Sequence, residues 1–290
     1  MSGMASTCRS IRPSSRWSMK LSRASTVGPR STVRPMRAMY ADEDEPVVQI
    51  LTAGDATLPP LVEVAVKVGN EEIRVVKPPD VDELWTWYEQ TGNMEADPSW
   101  GKLWETSKAL AANVVDESNA LVSVNGKRVA ELGCGLGLVG LAAAKRGAAS
   151  VIFCDREPLA IHCALSSAAV SGMNVVAVSE LENADAGACS GSLLDWAEPQ
   201  ALAQQIDFIV AADCLYDPAT AALLAGCCAD LIAGKGTVAI AEPEKERAIG
   251  CRAAFLDAAK AAGAKRTEIL PLPGSSSEHP PSVLVVASWE

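Results

Sequence analysis

Three glycines follow a short apolar run within Val129–Gly140 (VAELGCGLGLVG). Gly133, Gly135 and Gly137 stand between a predicted strand and a predicted helix, where glycine lets the main chain adopt positive φ and approach a ligand closely. Amide groups at a helix N-terminus attract a carboxylate. The segment therefore predicts a binding loop for a small molecule that carries a carboxylate, and Glu131 suits an ammonium group on the same ligand.

Two classes of cofactor compete for this loop. Its second half, Gly135–Gly140, matches the dinucleotide pattern G-x-G-x-x-G, although a single match of that kind is weak evidence. In that pattern the first glycine follows the strand directly, whereas here Gly133 does, and counting from Gly133 places Leu138 where the third glycine belongs. With Glu131 ahead of the glycines, the loop favours S-adenosylmethionine, which has an ammonium group, over a dinucleotide.

Acidic residues follow two further predicted strands. Asp155 comes about 20 residues after the glycines, where a carboxylate can accept hydrogen bonds from ribose hydroxyls; its alternative role is to cap the next helix. Asp213 and Tyr216 follow the fourth strand, and ligands of open α/β sheets bind beyond the carboxyl ends of the strands. A carboxylate and a phenol there can bind an amine, withdraw its proton or orient it, unless Asp213 only caps a turn.

A strand–helix alternation is needed to bring these side chains together, and the sequence shows one from Asn125-Gly126 onwards. Short Val/Ile-rich runs are typical of parallel strands that are covered on both faces. The predicted strands are Arg128–Leu132, Ser150–Cys154, Val175–Val178, Phe208–Ala211, Thr237–Ala241, Arg266–Leu270 and Val283–Ser288. The predicted helices are Gly137–Arg146, Pro158–Val170, Leu194 or Pro199 to Gln204, Ala219–Ile232 and Glu246–Ala262.

The last two strands are joined by Pro271–Pro281 without a helix, so we expect them to form an antiparallel pair at the sheet edge. Before the main domain, Val62–Val68 and Ile73–Val76 alternate around Gly69-Asn70 and predict a β-hairpin. A helix is predicted over Gly101–Val115. The expected fold is α/β, with a Rossmann-like seven-stranded sheet, mostly parallel with an antiparallel last strand, helices on both faces and a small N-terminal β-hairpin extension.

The first forty residues carry seven Arg and one Lys without an acid, and they are rich in Ser and Thr. This composition predicts an organelle transit peptide, for a chloroplast first and a mitochondrion second, with a disordered basic tail on a cytoplasmic protein as the alternative. We therefore divide the chain into residues 1–40 (leader or tail), 41–100 (extension with the hairpin) and 101–290 (the catalytic domain).

Charge and composition restrict the partners. Residues 41–290 hold 17 basic and 36 acidic residues, an acidic surface that argues against nucleic acid and favours a basic protein or a cationic small molecule. Every apolar run is too short to cross a membrane. The nine cysteines lack the spacing of a zinc site, and the sequence has only two histidines, His162 and His279, so we expect reduced thiols and no metal site. We also expect a monomer.

These residues together resemble the seven-strand protein methyltransferases, mostly lysine-directed, whose mark is Asp-x-x-Tyr after the fourth strand. The resemblance covers roughly residues 60–290. It rests on Gly101-x-x-Trp104, the ELGCG loop, Asp155, Leu194-Asp195-Trp196, Ala212 and the Asp213/Tyr216 pair. It implies S-adenosylmethionine as cofactor, with contacts from Trp104, Gly133, Cys134, Gly135, Asp155, Trp196 and Ala212, and catalysis by Asp213 and Tyr216. The glycine loop itself adds Glu131 and Gly137 to the predicted cofactor contacts.

The chain departs from that family in two respects. The helix after the second strand (IHCALSSAAVSG) lacks the asparagine that the family often places near its end. The second departure is the organelle-type leader, which most familiar members of the family lack. Asn-Pro-Pro-Tyr is absent after the fourth strand, which disfavours glutamine and adenine methylation. The leading prediction is a protein-lysine N-methyltransferase of an organelle; a small-molecule N-methyltransferase and a non-catalytic cofactor-binding scaffold are the alternatives. An open groove beside Tyr216 would favour a protein substrate.

Overall fold

The computed structural model describes residues 58–199, 202, 205–232, 234–272 and 281–290. The predicted leader and most of the loop between the last two strands lie outside these residues. The described strands are β1 (Val62–Val68), β2 (Glu71–Lys77), β3 (Arg128–Leu132), β4 (Ser150–Asp155), β5 (Ala188–Leu193), β6 (Phe208–Ala212), β7 (Thr237–Pro243), β8 (Arg266–Pro271) and β9 (Ser282–Ser288). The α-helices are α1 (Val81–Gln90), α2 (Glu105–Val115), α3 (Leu138–Lys145), α4 (Pro158–Val170), α5 (Pro218–Ile232) and α6 (Cys251–Ala261).

Seven strands form one sheet in the order β5-β4-β3-β6-β7-β9-β8. The strands β3 to β7 run parallel, and β9 is antiparallel to both of its neighbours, β7 and β8. The predicted antiparallel end of the sheet is confirmed. The strand order reverses between β3 and β6, and ligands of open α/β sheets bind at the carboxyl ends of the strands beside such a point.

Alternating strand residues divide the core between the two faces of the sheet, as period-two strands require. On one face Val151 and Phe153 pack with α2, α3 and α4. On the other face Ile152 and Cys154 pack with α5 and α6. Helices therefore cover both faces, as predicted from the apolar strands.

The hairpin of β1 and β2 is confirmed, with all seven residues of each strand paired. It packs on the α3 and α4 side: the amide of Val76 donates to Ser167 Oγ at 2.8 Å, and Lys145 pairs with Glu71 at 2.6 Å. Its inward side chains Val68 and Val75 are fully buried. The N-terminal extension is thus joined to the main core by apolar contacts.

The strand predicted at Val175–Val178 is wrong. Val175 makes only an isolated bridge to Cys189, and the strand next to β4 is β5, whose sequence is ACSGSL. Small residues are needed there because α4 packs closely on this strand: a Cβ on Gly191 would overlap Ile161 Cγ2. The residue types of β5 are therefore determined by the small space beneath α4 and not by a requirement for apolar side chains.

The starts of two helices and the described part of a third predicted helix also differ from the predictions. The helix predicted from Gly101 begins at Glu105, after a 3-10 turn at Pro98–Gly101. The helix predicted from Glu246 begins at Cys251, because the Glu246 carboxylate instead accepts the Gly250 and Arg252 amides at 3.2 and 2.9 Å. Of the helix predicted from Leu194 or Pro199 to Gln204, the described residues Leu194 to Pro199 form turns and not a helix, and most of the remainder lies outside the described residues. No α-helix in the described part of the chain has the length and apolarity that a membrane span requires.

Candidate cofactor cleft and active site

A cleft of about 560 Å³ opens at the carboxyl ends of β3, β4 and β6. All of the site residues predicted from the sequence line it except Gly137: Trp104, Glu131, Gly133, Cys134, Gly135, Asp155, Trp196, Ala212, Asp213 and Tyr216. The fold therefore brings together side chains that are more than 100 positions apart in the sequence, from Trp104 to Tyr216.

The main chain of the glycine loop forms one side of the cleft. Gly133 and Gly135 have φ values of 60° and 49°, which residues with a Cβ rarely adopt. A Cβ on Gly133 would lie 2.9 Å from Cys214 Sγ and 3.1 Å from Trp196 Cζ2, and one on Gly135 would lie 3.0 Å from the Trp100 carbonyl oxygen. The loop therefore needs glycine both for its conformation and for its close neighbours.

Gly137 lies behind the cleft and serves packing. It is the left-handed N-cap of α3, with φ of 74°. A Cβ there would lie 2.6 Å from the Cβ of Ala164 and 3.0 Å from the Phe153 ring. Gly137 thus allows α3 to begin directly against α4 and β4.

Glu131 is buried beneath the glycine loop. Its side chain is 3% exposed and accepts hydrogen bonds from the amides of Val139, at 3.3 Å, and Gly140, at 2.7 Å. Burial raises the pKa of this carboxyl to about 8, against the lowering effect of the two amides. Glu131 therefore fixes the first turn of α3 and also contributes an acidic group to the cleft.

Asp155 joins the glycine loop to the end of β4. One carboxylate oxygen accepts from the Gly135 amide at 2.9 Å and the other accepts from the Glu157 amide at 3.0 Å. Burial raises the pKa of Asp155, and the hydrogen bonds from Glu157 and Gly135 oppose that shift. The side chain combines both roles considered from the sequence, because it holds the turn before α4 and also lines the cleft.

Two tryptophans provide the apolar surfaces of the cleft. Trp104 precedes α2 and its indole N–H donates to the Ser99 carbonyl at 3.2 Å. Lys102 Nζ lies 4.4 Å from the centre of the Trp104 ring, and Arg247 Cζ lies 4.6 Å from it. Trp196, in the turn after β5, packs against Gly133. These flat aromatic faces are suited to an apolar or heterocyclic part of a ligand.

Asp213 and Tyr216 lie at the opening of the cleft. Asp213 has a φ of 58°, the only described non-glycine residue with positive φ, and its amide donates to the Ala241 carbonyl at 3.0 Å. The Asp213 carboxylate accepts from the Thr106 hydroxyl and pairs with Arg247, whose Nε lies 2.6 Å away. Tyr216 is 48% exposed, and partial burial raises the pKa of its phenol. An oriented, buried carboxylate and an accessible phenol therefore both line the cleft from the same turn after β6.

Glu242, which the sequence analysis missed, holds the Asp213–Tyr216 turn in place. It lies near the end of β7, is 3% exposed, and one of its oxygens accepts from the amides of Cys214 and Leu215 at 2.8 and 2.9 Å. Burial raises the pKa of Glu242 to about 7. The sequence did contain one signal for this role, namely an acidic residue near the end of the strand that lies next to β6.

The cleft fits S-adenosylmethionine. The glycine loop, whose glycines place no side chains in the way, suits the carboxylate end of that molecule, and the aromatic walls suit its adenine. The acidic side chain at the end of β4 suits its ribose. Within the described residues, no group of three or more His, Cys, Asp or Glu side chains is arranged to hold a metal ion. The eight described cysteines are buried free thiols.

Comparison with known proteins gives structural neighbours that are methyltransferases. No curated protein matches the chain. Among solved structures, it is similar to a TehB-like S-adenosylmethionine-dependent methyltransferase of Corynebacterium glutamicum, with 15% identity, a TM-score of 0.44 and coverage of 72% of this chain and 99% of that one. It is also similar to magnesium protoporphyrin IX methyltransferase of Synechocystis, solved with the bound cofactor, with 16% identity, a TM-score of 0.43 and coverage of 72% and 96%.

A family model described as lysine methyltransferase matches residues 82–260, which is well over half of the chain. The matched range contains the glycine loop, Asp155 and the Asp213/Tyr216 pair. The chain is therefore an S-adenosylmethionine-dependent methyltransferase and belongs to the lysine methyltransferase family.

Proposed function

We propose that the chain is a protein-lysine N-methyltransferase that acts on a protein of the chloroplast, with Asp213 and Tyr216 at the acceptor amine. The observation that carries this proposal is the pairing of a buried, oriented carboxylate with a half-exposed phenol at the opening of the cofactor cleft. The leader composition supports the compartment, since Arg and Ser without acids are typical of transit peptides.

The cofactor supplies a methyl group on a sulfonium, an electrophile that an amine lone pair attacks. In our proposal the glycine loop from Gly133 to Gly135 contacts the methionine part of the cofactor, Asp155 accepts hydrogen bonds from the ribose, and Trp104, Trp196 and Ala212 contact its apolar parts. Each of these residues lines the cleft. Because the cleft is preformed by the sheet ends, it can fix the direction of attack, and positioning of this kind accounts for much of the rate of group transfer.

The acceptor must be bound as a cation and must react as a neutral amine. A lysine ammonium has an ordinary pKa of about 10.4. Asp213 attracts the ammonium, whereas the Tyr216 ring excludes water from it, and such desolvation lowers an amine pKa and favours the neutral form. In this scheme Asp213 binds and orients the acceptor nitrogen and accepts the proton that the ammonium loses before the attack, and Tyr216 provides its apolar wall.

Access to the site supports a protein substrate. Tyr216 is 48% exposed, and Leu223 on α5, which also lines the cleft, is 46% exposed. Exposed apolar side chains around an active-site opening are suited to contact with a partner. The acidic balance of residues 41–290 likewise favours a basic protein region around the target lysine.

The test is transfer of tritiated methyl groups from S-adenosylmethionine into a chloroplast stromal extract, with and without protease treatment. The wild-type protein should label a discrete protein band that protease removes, and the label should appear in methyl-lysine after hydrolysis. Label confined to small molecules would instead support a small-molecule N-methyltransferase.

Asp213→Asn should bind the cofactor with the wild-type dissociation constant but lose methyl transfer, because it removes the charge that attracts the acceptor. Asp217→Asn is the matched control, since Asp217 is exposed, lies outside the cleft and caps α5 through the Thr220 amide at 2.8 Å. Equal turnover by Asp213→Asn and wild type would remove Asp213 from the mechanism. Cofactor binding without transfer by wild type would support a scaffold.

A further inference from the structure

Arg247 places a cation on the carboxylate that we assign to the acceptor. Its Nε lies 2.6 Å from Asp213 Oδ1, and a terminal guanidinium nitrogen forms an ion pair with the same oxygen. The Asp213 side chain is only 5% exposed, so this contact is shielded from water. The second Asp213 oxygen accepts from the buried Thr106 hydroxyl, so the two oxygens have different partners and Arg247 is the cationic one.

The guanidinium also lies on an aromatic face. Arg247 Cζ is 4.6 Å from the centre of the Trp104 ring, within the range of a cation–π contact. A carboxylate on one side and an indole face on the other is a general environment for an alkylammonium ion. Arg247 therefore occupies surroundings that would also suit the ammonium of a lysine.

Arg247 can leave this position without a change of the main chain. It lies in the segment between β7 and α6, and the two ends of that segment are joined because Arg252 donates to the carbonyls of Pro243 and Glu244. Glu246 further accepts the Arg252 amide at 2.9 Å. The Arg247 side chain is 38% exposed, so rotation about its own bonds is enough to move the guanidinium into solvent.

We propose that Arg247 is a specificity-determining residue whose guanidinium takes the acceptor's place on Asp213 until a lysine ammonium displaces it. This inference rests on the proposed function, because it takes Asp213 as the group that binds the acceptor. A cationic acceptor that displaces Arg247 forms a new ion pair with Asp213. A neutral acceptor would break the Arg247–Asp213 pair without replacing it. Arg247 would therefore exclude uncharged acceptors and lower the affinity for isolated small amines, which lack further contacts to offset the displacement.

The test measures cation binding by calorimetry without a methyl donor, with n-butylammonium chloride as the probe and 1-butanol as its uncharged counterpart. Arg247→Ala should bind n-butylammonium on the order of tenfold more tightly than wild type, since the competing charge is gone. Arg247→Gln, which keeps a polar side chain in the same loop, should show the same direction of change. None of the three proteins, wild type or either variant, should bind 1-butanol. Weaker binding or no change in both variants would overturn the proposal.

Three controls separate displacement from a general effect of charge. Arg156→Ala also removes one positive charge from the cleft, but Arg156 pairs with Asp97 and not with Asp213. This variant should change the affinity for n-butylammonium far less. Asp213→Asn combined with Arg247→Ala should lose the gain, and guanidinium chloride should compete with n-butylammonium in Arg247→Ala. An equal gain in Arg156→Ala, or a gain that survives Asp213→Asn, would refute a specific exchange.

The outcome of this experiment is separate from that of the labelling experiment. Tighter n-butylammonium binding in Arg247→Ala together with label only in small molecules would keep the role of Arg247 and refute the protein substrate. Labelled protein together with unchanged n-butylammonium binding would keep the proposed function and refute the role of Arg247.

Discussion

Removal of the Glu242 side chain tests whether one buried carboxyl holds the catalytic turn. In Glu242→Ala the amides of Cys214 and Leu215 lose their acceptor, and both residues are at most 4% exposed. A buried donor without a partner costs about 1–3 kcal/mol, so the two amides together should lower the free energy of unfolding by about 2–6 kcal/mol. That is a large part of the roughly 5–15 kcal/mol typical of folded proteins.

The measurement is urea unfolding at pH 6, where the carboxyl of wild-type Glu242 is mostly protonated because its pKa is about 7. Glu242→Gln keeps an oxygen that can accept from both amides and should lie within about 1 kcal/mol of wild type. Glu244→Ala, an exposed acid just beyond β7, controls for the loss of a nearby side chain. If Glu242→Ala is as stable as Glu244→Ala, the two amides do not depend on Glu242 and the argument fails.

Three further predictions concern pH and the cofactor. Because folding raises the pKa of Glu242 from 4.5 to about 7, the contribution of Glu242 to the wild-type free energy of unfolding should fall by up to about 3 kcal/mol as pH rises through that interval; pH-dependent urea unfolding should show a smaller fall in Glu242→Gln. Gly133→Ala should weaken cofactor binding about tenfold or more in calorimetry, whereas Gly92→Ala, which has φ of 79° and open space around it, should leave binding unchanged. Asp155→Asn should weaken cofactor binding by about 10- to 100-fold, the range expected for charge-assisted hydrogen bonds; unchanged affinity would exclude it as a ribose ligand.

The fold was largely predictable because most of its parallel strands are short apolar runs separated by segments of helical length. The exception, β5, shows what such patterns omit. Its ACSGSL sequence is selected by the close approach of α4 to Gly191, a contact between segments that periodicity does not detect. The start of α6 was missed for a similar reason, since the Glu246 side chain caps the helix from outside it.

The site was predictable where residue type and position in a strand–loop–helix unit determine the role. The residues missed act through partners far away in sequence. Glu242 accepts from amides 27 and 28 positions before it, and Arg247 pairs with Asp213 at a separation of 34. The sequence shows that an acid ends β7, but it does not show the partners of Glu242 or Arg247, which come close only because β7 lies next to β6.

The position of β9 between β7 and β8 has a consequence for biosynthesis. A chain that emerges from the ribosome in order presents β8 before β9, and β8 pairs with no described strand other than β9. Until β9 has left the ribosome, the edge of β7 that will pair with β9 exposes unpaired backbone groups, a template for association with other chains. The elements that line the cofactor cleft, from α2 to the loop after β7, all precede β8 in the sequence, so they are synthesised before the strands that complete the sheet.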